Sequence, residues 1–253
     1  MALVLQYDGG AFAGWQQQPN VRTVQGDLEA ALARLAGHRV AAVGAGRTDA
    51  GVHALGQVAA VPMPDRWRAD ELVRALNALL PHDVWVASAR RMPPGFNPRR
   101  DALERTYCYR IGTDRAAHSP FRRRWEWAVP HPLDVGALRE TAAALHGTHS
   151  FRALSAVGVE RAHWRCRVGE AAWQRREDAP GFELWITADR FLHRMVRFVV
   201  GLSIDIARGR RPFADLGRLL AESDNRRASP PAPPHGLYLV AVRYPARPCE
   251  DGA

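Results

Sequence analysis

The sequence predicts an α+β protein built of two similar ferredoxin-like halves, each βαββαβ, whose antiparallel sheets flank a central cleft. Three observations lead there. The apolar pattern switches between strand-like and helix-like periods in the order β-α-β-β-α-β, and the same order returns later in the chain. The 253 residues give each half enough length to bury its own core. Between them, Met92-Pro93-Pro94-Gly95-Phe96-Asn97-Pro98 gathers the proline and glycine of a boundary. One domain is therefore expected at 1–100 and a second at 101–253. The repeat is one of element order, with no residue-level repeat beneath it.

In the first half, Ala2–Tyr7 is a short apolar run and reads as a strand. Val24–Leu35 carries Leu28, Ala31, Leu32 and Leu35 at helical spacing, with Thr23 as N-cap and Gly37 as the stop. Val40–Val43 is expected as a strand, Gly44–His53 as a loop and Ala54–Val61 as a further strand. Ala69–Leu80 is a helix ended by Pro81, and Val84–Ala89 closes the unit. In the second half, Arg105–Ile111 alternates as a strand, and Val135–Leu145 is a helix capped by Asp134. His163–Val168, running into Ala171–Arg175, pairs with Phe182–Ala188 through a hairpin at Glu177–Gly181. Phe191–Ala207 is the long helix, Phe213–Ala221 a short inserted one, and Leu237–Tyr244 the last strand. Ser229–Gly236, with four prolines, is expected to be extended. It is a rigid lead-in to the last strand or a polyproline ligand for another domain. Ala246–Ala253 reads as a frayed tail.

The charge balance narrows the function. Thirty-five basic residues against 26 acidic ones leave a net charge of +9, and every basic residue is arginine. Without lysine there is no Schiff-base nucleophile, no pyridoxal-phosphate anchor and no P-loop or kinase lysine. A GC-rich genome also replaces lysine by arginine, but codon bias does not set the basic-to-acidic balance. That balance favours a polyanionic partner, and guanidinium groups suit phosphate and base stacking. A membrane surface is the rival, yet the longest apolar segment, Met195–Ile206, is interrupted by Arg197 and Asp205. The N-terminus lacks a signal pattern, so a cytoplasmic protein is expected.

Cys108, Cys166 and Cys249 are too few and too scattered for a disulfide framework. His146-x-x-His149 and His163-x-x-Cys166 carry ligand types for zinc, but Cys166 sits in an alternating strand-like run and no CxxC pair supports it. No metal site is expected. Gly44-Ala45-Gly46-Arg47-Thr48-Asp49-Ala50-Gly51-Val52-His53 is the strongest candidate for chemistry. Its glycines permit close backbone approach around one carboxylate. They are not spaced as GxGxxG, so a dinucleotide site is not indicated. Read alone, the segment is either a catalytic loop or an Asx-turn in a hairpin.

Gly46–His53 resembles the signature of the tRNA pseudouridine synthase A family, the TruA type. The resemblance runs the length of the chain through Tyr7-Asp8-Gly9, Phe12-Ala13-Gly14-Trp15-Gln16, Thr23–Glu29, Asn97-Pro98-Arg99, Arg105–Arg110, Gly147–Phe151, Phe191–Arg197 and Gly236–Leu239. It implies isomerisation of uridine to pseudouridine at positions 38, 39 and 40 of the tRNA anticodon arm, by a homodimer, with neither metal nor organic cofactor. Asp49 would be the catalytic carboxylate, attacking carbon or removing a ribose proton. Tyr107 would stack on the target uracil and assist the late removal of the C5 proton. Arg197 would pair with Asp49 across the cleft. Arg47 would fill the space left by the flipped base and Leu237 would wall its pocket, with Thr48, His53 and Arg194 as further substrate-binding residues. The sequence departs from the family pattern at Pro98, Thr106, Cys108, Asp189-Arg190 and Phe198. The alternative is a non-catalytic RNA-binding protein on the same scaffold.

Two arginine patterns fit an RNA partner. On a Phe191–Ala207 helix, Arg190, Arg194, Arg197, Gly201 and Arg208 fall along one side and Leu192, Met195, Val199, Leu202 and Ile206 along the other. Arg122-Arg123-Arg124 beside Trp125 and Trp127 is either an RNA grip or a charged strand end over core tryptophans.

Overall fold

A computed structural model describes residues 1–156 and 163–245. The tail expected at Ala246–Ala253, with Cys249, lies outside the described residues. In chain order the elements are β1 (Ala2–Tyr7), α1 (Val24–Ala36), β2 (Val43–Gly44), β3 (His53–Ala60), α2 (Ala69–Leu79), β4 (Val84–Arg90), β5 (Glu104–Gly112), β6 (Trp127–Ala128), α3 (Val135–Ala143), β7 (Gly147–Ser150), β8 (Arg165–Arg175), β9 (Gly181–Ala188), α4 (Met195–Ala207), α5 (Ala214–Ala221) and β10 (Leu237–Arg243). The caps follow the sequence. Thr23 accepts from Gly26 and Asp134 from Ala137, while Gly37 closes α1 in the left-handed region.

The architecture is α+β, and both halves keep the ferredoxin-like strand order. The first contributes β4-β1-β3 and the second β10-β5-β9-β8, extended at its edge by β7. The two expected sheets are not separate, however. They join edge to edge into one ten-stranded sheet, because β10 pairs in parallel with β3 at Tyr238–His53 and Leu239–Ala54. One apolar core runs beneath both halves, from Leu3 and Leu28 to Leu184 and Val199.

A shortened β2 makes the junction possible. Only Val43 and Gly44 pair with β3, opposite Ala60 and Ala59. Upstream, Ala42 turns its backbone to side chains of α1, donating to Glu29 at 2.9 Å and accepting from Gln25 at 3.1 Å. The β3 edge at His53 and Ala54 is thus left for β10. Gly56 lies where the strands converge; a Cβ there would stand 2.2 Å from the Val240 carbonyl oxygen.

The long C-terminal helix differs from expectation. It starts at Met195, four residues late, after Arg194 in the left-handed region at φ 61°. His193 gives its carbonyl to the Ala156 N–H instead of to a helical turn. Arg190 and Arg194 therefore lie outside the helix and Arg208 caps its end, so the expected arginine stripe does not form. Within α4 only Arg197 and Asp205 escape burial. Gly201, expected on the basic side, is instead a crossing point, with the Pro230 carbonyl 2.1 Å from where a Cβ would be. No glycine or proline marks residues 189–194, which is why the local pattern reads as continuous helix.

The proline segment is a docked lead-in to β10. It is extended at Pro233, but Pro234–Gly236 forms a single 3-10 turn that the proline spacing does not predict. Ala232 bonds Arg197, and Tyr109 donates to the Pro233 carbonyl at 2.8 Å. No helix among the described residues is long and apolar enough to cross a membrane.

Gly56→Ala should place a methyl group against β10 and cost about 1–3 kcal/mol. At this chain length the expected fall in Tm is roughly 2–4 °C per kcal/mol. An unchanged Tm in thermal unfolding would mean that the strands do not meet so closely there.

Candidate active site

A cleft of about 1260 Å³ opens over the junction, lined by the loop after β2, by Tyr107, by Leu237 and by residues 189–196. The loop is built by buried polar contacts. Gln57, fully buried on β3, donates to the Gly46 carbonyl at 2.8 Å and accepts from the Gly46 N–H at 3.3 Å. The Thr48 hydroxyl meets the buried Tyr7 hydroxyl at 2.8 Å, and the Thr48 carbonyl accepts from the Trp15 N–H at 3.0 Å. Gly14, at φ 106°, leaves room for that approach: a Cβ there would come within 2.7 Å of the Thr48 carbonyl oxygen. Asp49 is held up at the centre of this frame.

Its two carboxylate oxygens have different partners. Oδ2 faces Arg197 Nη1 at 3.3 Å, and Oδ1 faces His193 Nε2 at 3.2 Å. The Arg197 guanidinium is itself fixed, because Nε donates to the Ala232 carbonyl at 2.7 Å and the Ala232 N–H returns to the Arg197 carbonyl at 2.9 Å. Arg197 does not line the cleft; it reaches Asp49 from behind. The expected pairing of Arg197 with Asp49 is present in the structure.

Tyr107 forms a cleft wall, 9 % exposed, with its ring edge-on to Phe191 at 4.9 Å between centroids. Burial, reinforced by the Asp49 charge, pushes its phenol up to about 12. At neutral pH it is a neutral hydroxyl on an aromatic surface. Arg105, beside it, makes no ion pair with a carboxylate among the described residues. Its Nη1 donates to the carbonyls of Ala102 and Asp189 and its Nη2 to those of Ala45 and Arg99. One guanidinium thereby ties the Asp49 loop to both chain crossings at the cleft rim. Burial lowers its pKa from the ordinary arginine value.

The structure brings together most of the predicted residues. Arg47, Thr48, Asp49, Tyr107, Arg194 and Leu237 all border the cleft, though the Thr48 hydroxyl is turned inward. His53 does not. It is 1 % exposed behind the loop, stacked on Tyr238 at 4.9 Å and against Trp125 at 5.0 Å. Its Nδ1 accepts from the Gly9 N–H at 3.0 Å, so the proton sits on Nε2, which donates to the His235 carbonyl at 3.2 Å. This buried imidazole, with both ring nitrogens partnered, supports the loop and does not line the cleft. Of the other expected arginines, Arg122 pairs with Asp114 and the buried Glu126, and Arg124 with Asp8. Arg122 and Arg124 serve the fold. Five exposed arginines, Arg47, Arg99, Arg100, Arg190 and Arg194, line the cleft. Arg47, Arg99 and Arg194 make no ion pair among the described residues.

Sequence reasoning missed Gln57, Arg105 and His193. Gln57 had a signal, being the one polar residue inside an apolar strand run. The other two had none, since the contacts that tie them to the Asp49 loop, Arg105 to Ala45 and His193 to Asp49, join residues far apart in the chain.

A carboxylate, Asp49, braced on its loop above an arginine-lined cleft defines a class of enzyme site: one suited to carboxylate chemistry on a polyanionic substrate. The chain belongs to the tRNA pseudouridine synthase family, a family of isomerases. The model described as tRNA pseudouridine synthase matches residues 3–99 and 141–245. Among relatives named tRNA pseudouridine synthase A, that of Myxococcus xanthus is 42% identical over 245 residues, covering 96% of this chain and 91% of its own. That of Cereibacter sphaeroides is 42% identical over 252 residues, covering 98% and 97%. That of Syntrophomonas wolfei is 40% identical over 248 residues, covering 96% of each.

Burial depresses the His53 pKa below its ordinary 6.5, against the opposing pull of Asp8. The unfolded chain therefore takes up this proton first, and stability falls as the pH drops through 6.5. Urea unfolding between about pH 7 and about pH 5 should show a falling midpoint, and His53→Gln should flatten part of that slope. His235, whose pKa is also lowered by burial, supplies a residual slope. An unaltered slope in His53→Gln would mean that His53 takes no part.

Proposed function

We propose that the protein isomerises uridine to pseudouridine at positions 38, 39 and 40 of the tRNA anticodon arm, with Asp49 as the essential carboxylate and no cofactor. The observation that carries this is Asp49 itself: a carboxylate on a braced loop, at the wall of an arginine-lined cleft, with its backing cation already paired. The reaction breaks the C1′–N1 bond and forms a C1′–C5 bond. C5 loses a proton and N1 gains one, so nothing is oxidised or reduced and no redox group is called for.

The residues divide the work. Flipping the target nucleotide out of its stack costs a few kcal/mol. Neutralising phosphates with the exposed arginines of the cleft supplies sequence-independent affinity to offset this. Arg47, on the same loop as the carboxylate and without an ion pair among the described residues, occupies the space the base vacates. The phenol of Tyr107, its pKa raised and its hydroxyl neutral at rest, gives the uracil an aromatic face and is the residue that assists the late removal of the C5 proton. Leu237, at the start of β10, walls the pocket. Asp49 attacks at carbon or acts as a base; both routes need an oriented oxygen, which the contact of Arg197 with Oδ2 helps to hold. We read residues 1–100 as the unit carrying the catalytic loop and 101–253 as the unit completing the cleft. The active form is a cytoplasmic homodimer on which one tRNA spans both subunits.

Asp49→Asn should abolish pseudouridine formation on tRNA transcripts while leaving tRNA binding near wild type. Equal product from both proteins, or binding with no product from either, would overturn the enzymatic reading and favour a non-catalytic RNA-binding protein. Arg197→Ala should lower turnover by about 100-fold, as expected when a reacting group loses its orientation, with a far smaller change in affinity. A loss confined to affinity would make Arg197 a phosphate contact.

A further inference from the structure

We propose that His193 is a positioning residue for the reaction, holding Oδ1 of Asp49 in the orientation in which it meets the substrate; this rests on Asp49 being the essential carboxylate. Arg197 alone does not set the carboxylate plane, since one contact on Oδ2 leaves the group free to turn about its χ2 axis. His193 Nε2, within ion-pair distance of Oδ1 at 3.2 Å, restrains that rotation.

The two partners differ in a way that assigns the oxygens. Arg197 is 12 % exposed and anchored on Ala232, behind the loop. The His193 side chain is 42 % exposed and lines the open cleft. Oδ2 is therefore the structural oxygen. Oδ1 lies on the substrate side, and a carboxylate oxygen that accepts from one donor keeps a further acceptor position for a second. His193 can orient Oδ1 without consuming it.

The backbone aims the imidazole deliberately. Leu192 is buried, the His193 carbonyl is held by the Ala156 N–H at 2.9 Å, and Arg194 follows in the left-handed region at φ 61°. Non-glycine residues rarely adopt that conformation, and those that do are enriched at functional sites. Here the turn delays α4 and projects His193 into the cleft towards Asp49. An exposed pair of this kind adds little to stability, so its consequence is orientation and not folding.

The donor must be an N–H on Nε2, present in the imidazolium and in one neutral tautomer. Glutamine carries an amide N–H at comparable reach, while alanine and phenylalanine carry none. Single-turnover pseudouridine formation at saturating tRNA transcript, with tRNA Kd measured separately, tests this on the full-length protein. His193→Ala and His193→Phe should be slowed about 10- to 100-fold, the range for a misoriented reacting group, with Kd within about threefold of wild type. His193→Gln should recover to within about fivefold. A full rate in His193→Ala, a loss wholly in Kd, or a glutamine variant as slow as alanine would each overturn the proposal. The parent reading fails separately. Product from Asp49→Asn, or none from wild type, sinks that reading and this proposal with it, whereas an inactive Asp49→Asn beside a fully active His193→Ala sinks His193 alone.

Discussion

The parallel pairing of β10 with β3 is the constraint on which the site depends. Neither half holds a complete cleft. The first supplies Asp49 on its loop, and the second supplies Tyr107, residues 189–196 and Arg197. They meet only because the last strand of the chain occupies an edge that β2 leaves open. The lead-in to that strand is part of the same device. Ala232 fixes Arg197, the His235 carbonyl fixes His53, and Pro234 packs on Gly51 of the loop. Three contacts within a few residues couple the sheet junction to the carboxylate, so rigidity in the sheet becomes orientation at Asp49.

Arginine without lysine acquires a structural meaning in this setting. Arg105 spreads four donor contacts over the carbonyls of Ala45, Arg99, Ala102 and Asp189 with one planar group. An ammonium is a compact point charge with three donors and cannot span that fork. Arg176 likewise grips Asp178 at two nitrogens while pairing with the buried Glu126. Such arginines are consumed by the fold. The exposed arginines at the cleft, Arg47, Arg99 and Arg194 among them, are not consumed in this way.

Much of the fold could be read locally. Alternation at Arg105–Ile111 and Phe182–Ala188, helical spacing after Thr23 and the Asp134 cap all predicted their elements to within a few residues. The failures share a cause. Val40–Val43 has strand character, but Glu29 and Gln25 take the Ala42 backbone groups first. Residues 191–194 have helical character, but Ala156 claims the His193 carbonyl. In each case a distant partner outcompeted a local preference that is weak per residue. The candidate site divides in the same way: Asp49, Tyr107 and Arg197 were visible through motif resemblance, while His193 and Arg105 act through contacts that no spacing encodes.

The sequence by itself determined the element order, the α+β class, the absence of amine chemistry and the segment that carries the carboxylate. These follow from periodicity, from turn residues and from which side chains exist, all of which are local. Tertiary structure alone decided that two sheets are one, that His53 braces the loop from behind instead of facing the cleft, and which arginines stay free. Those outcomes depend on strand-edge pairing and burial between residues far apart in the chain. There the winner is set by which groups would otherwise be left buried without a partner.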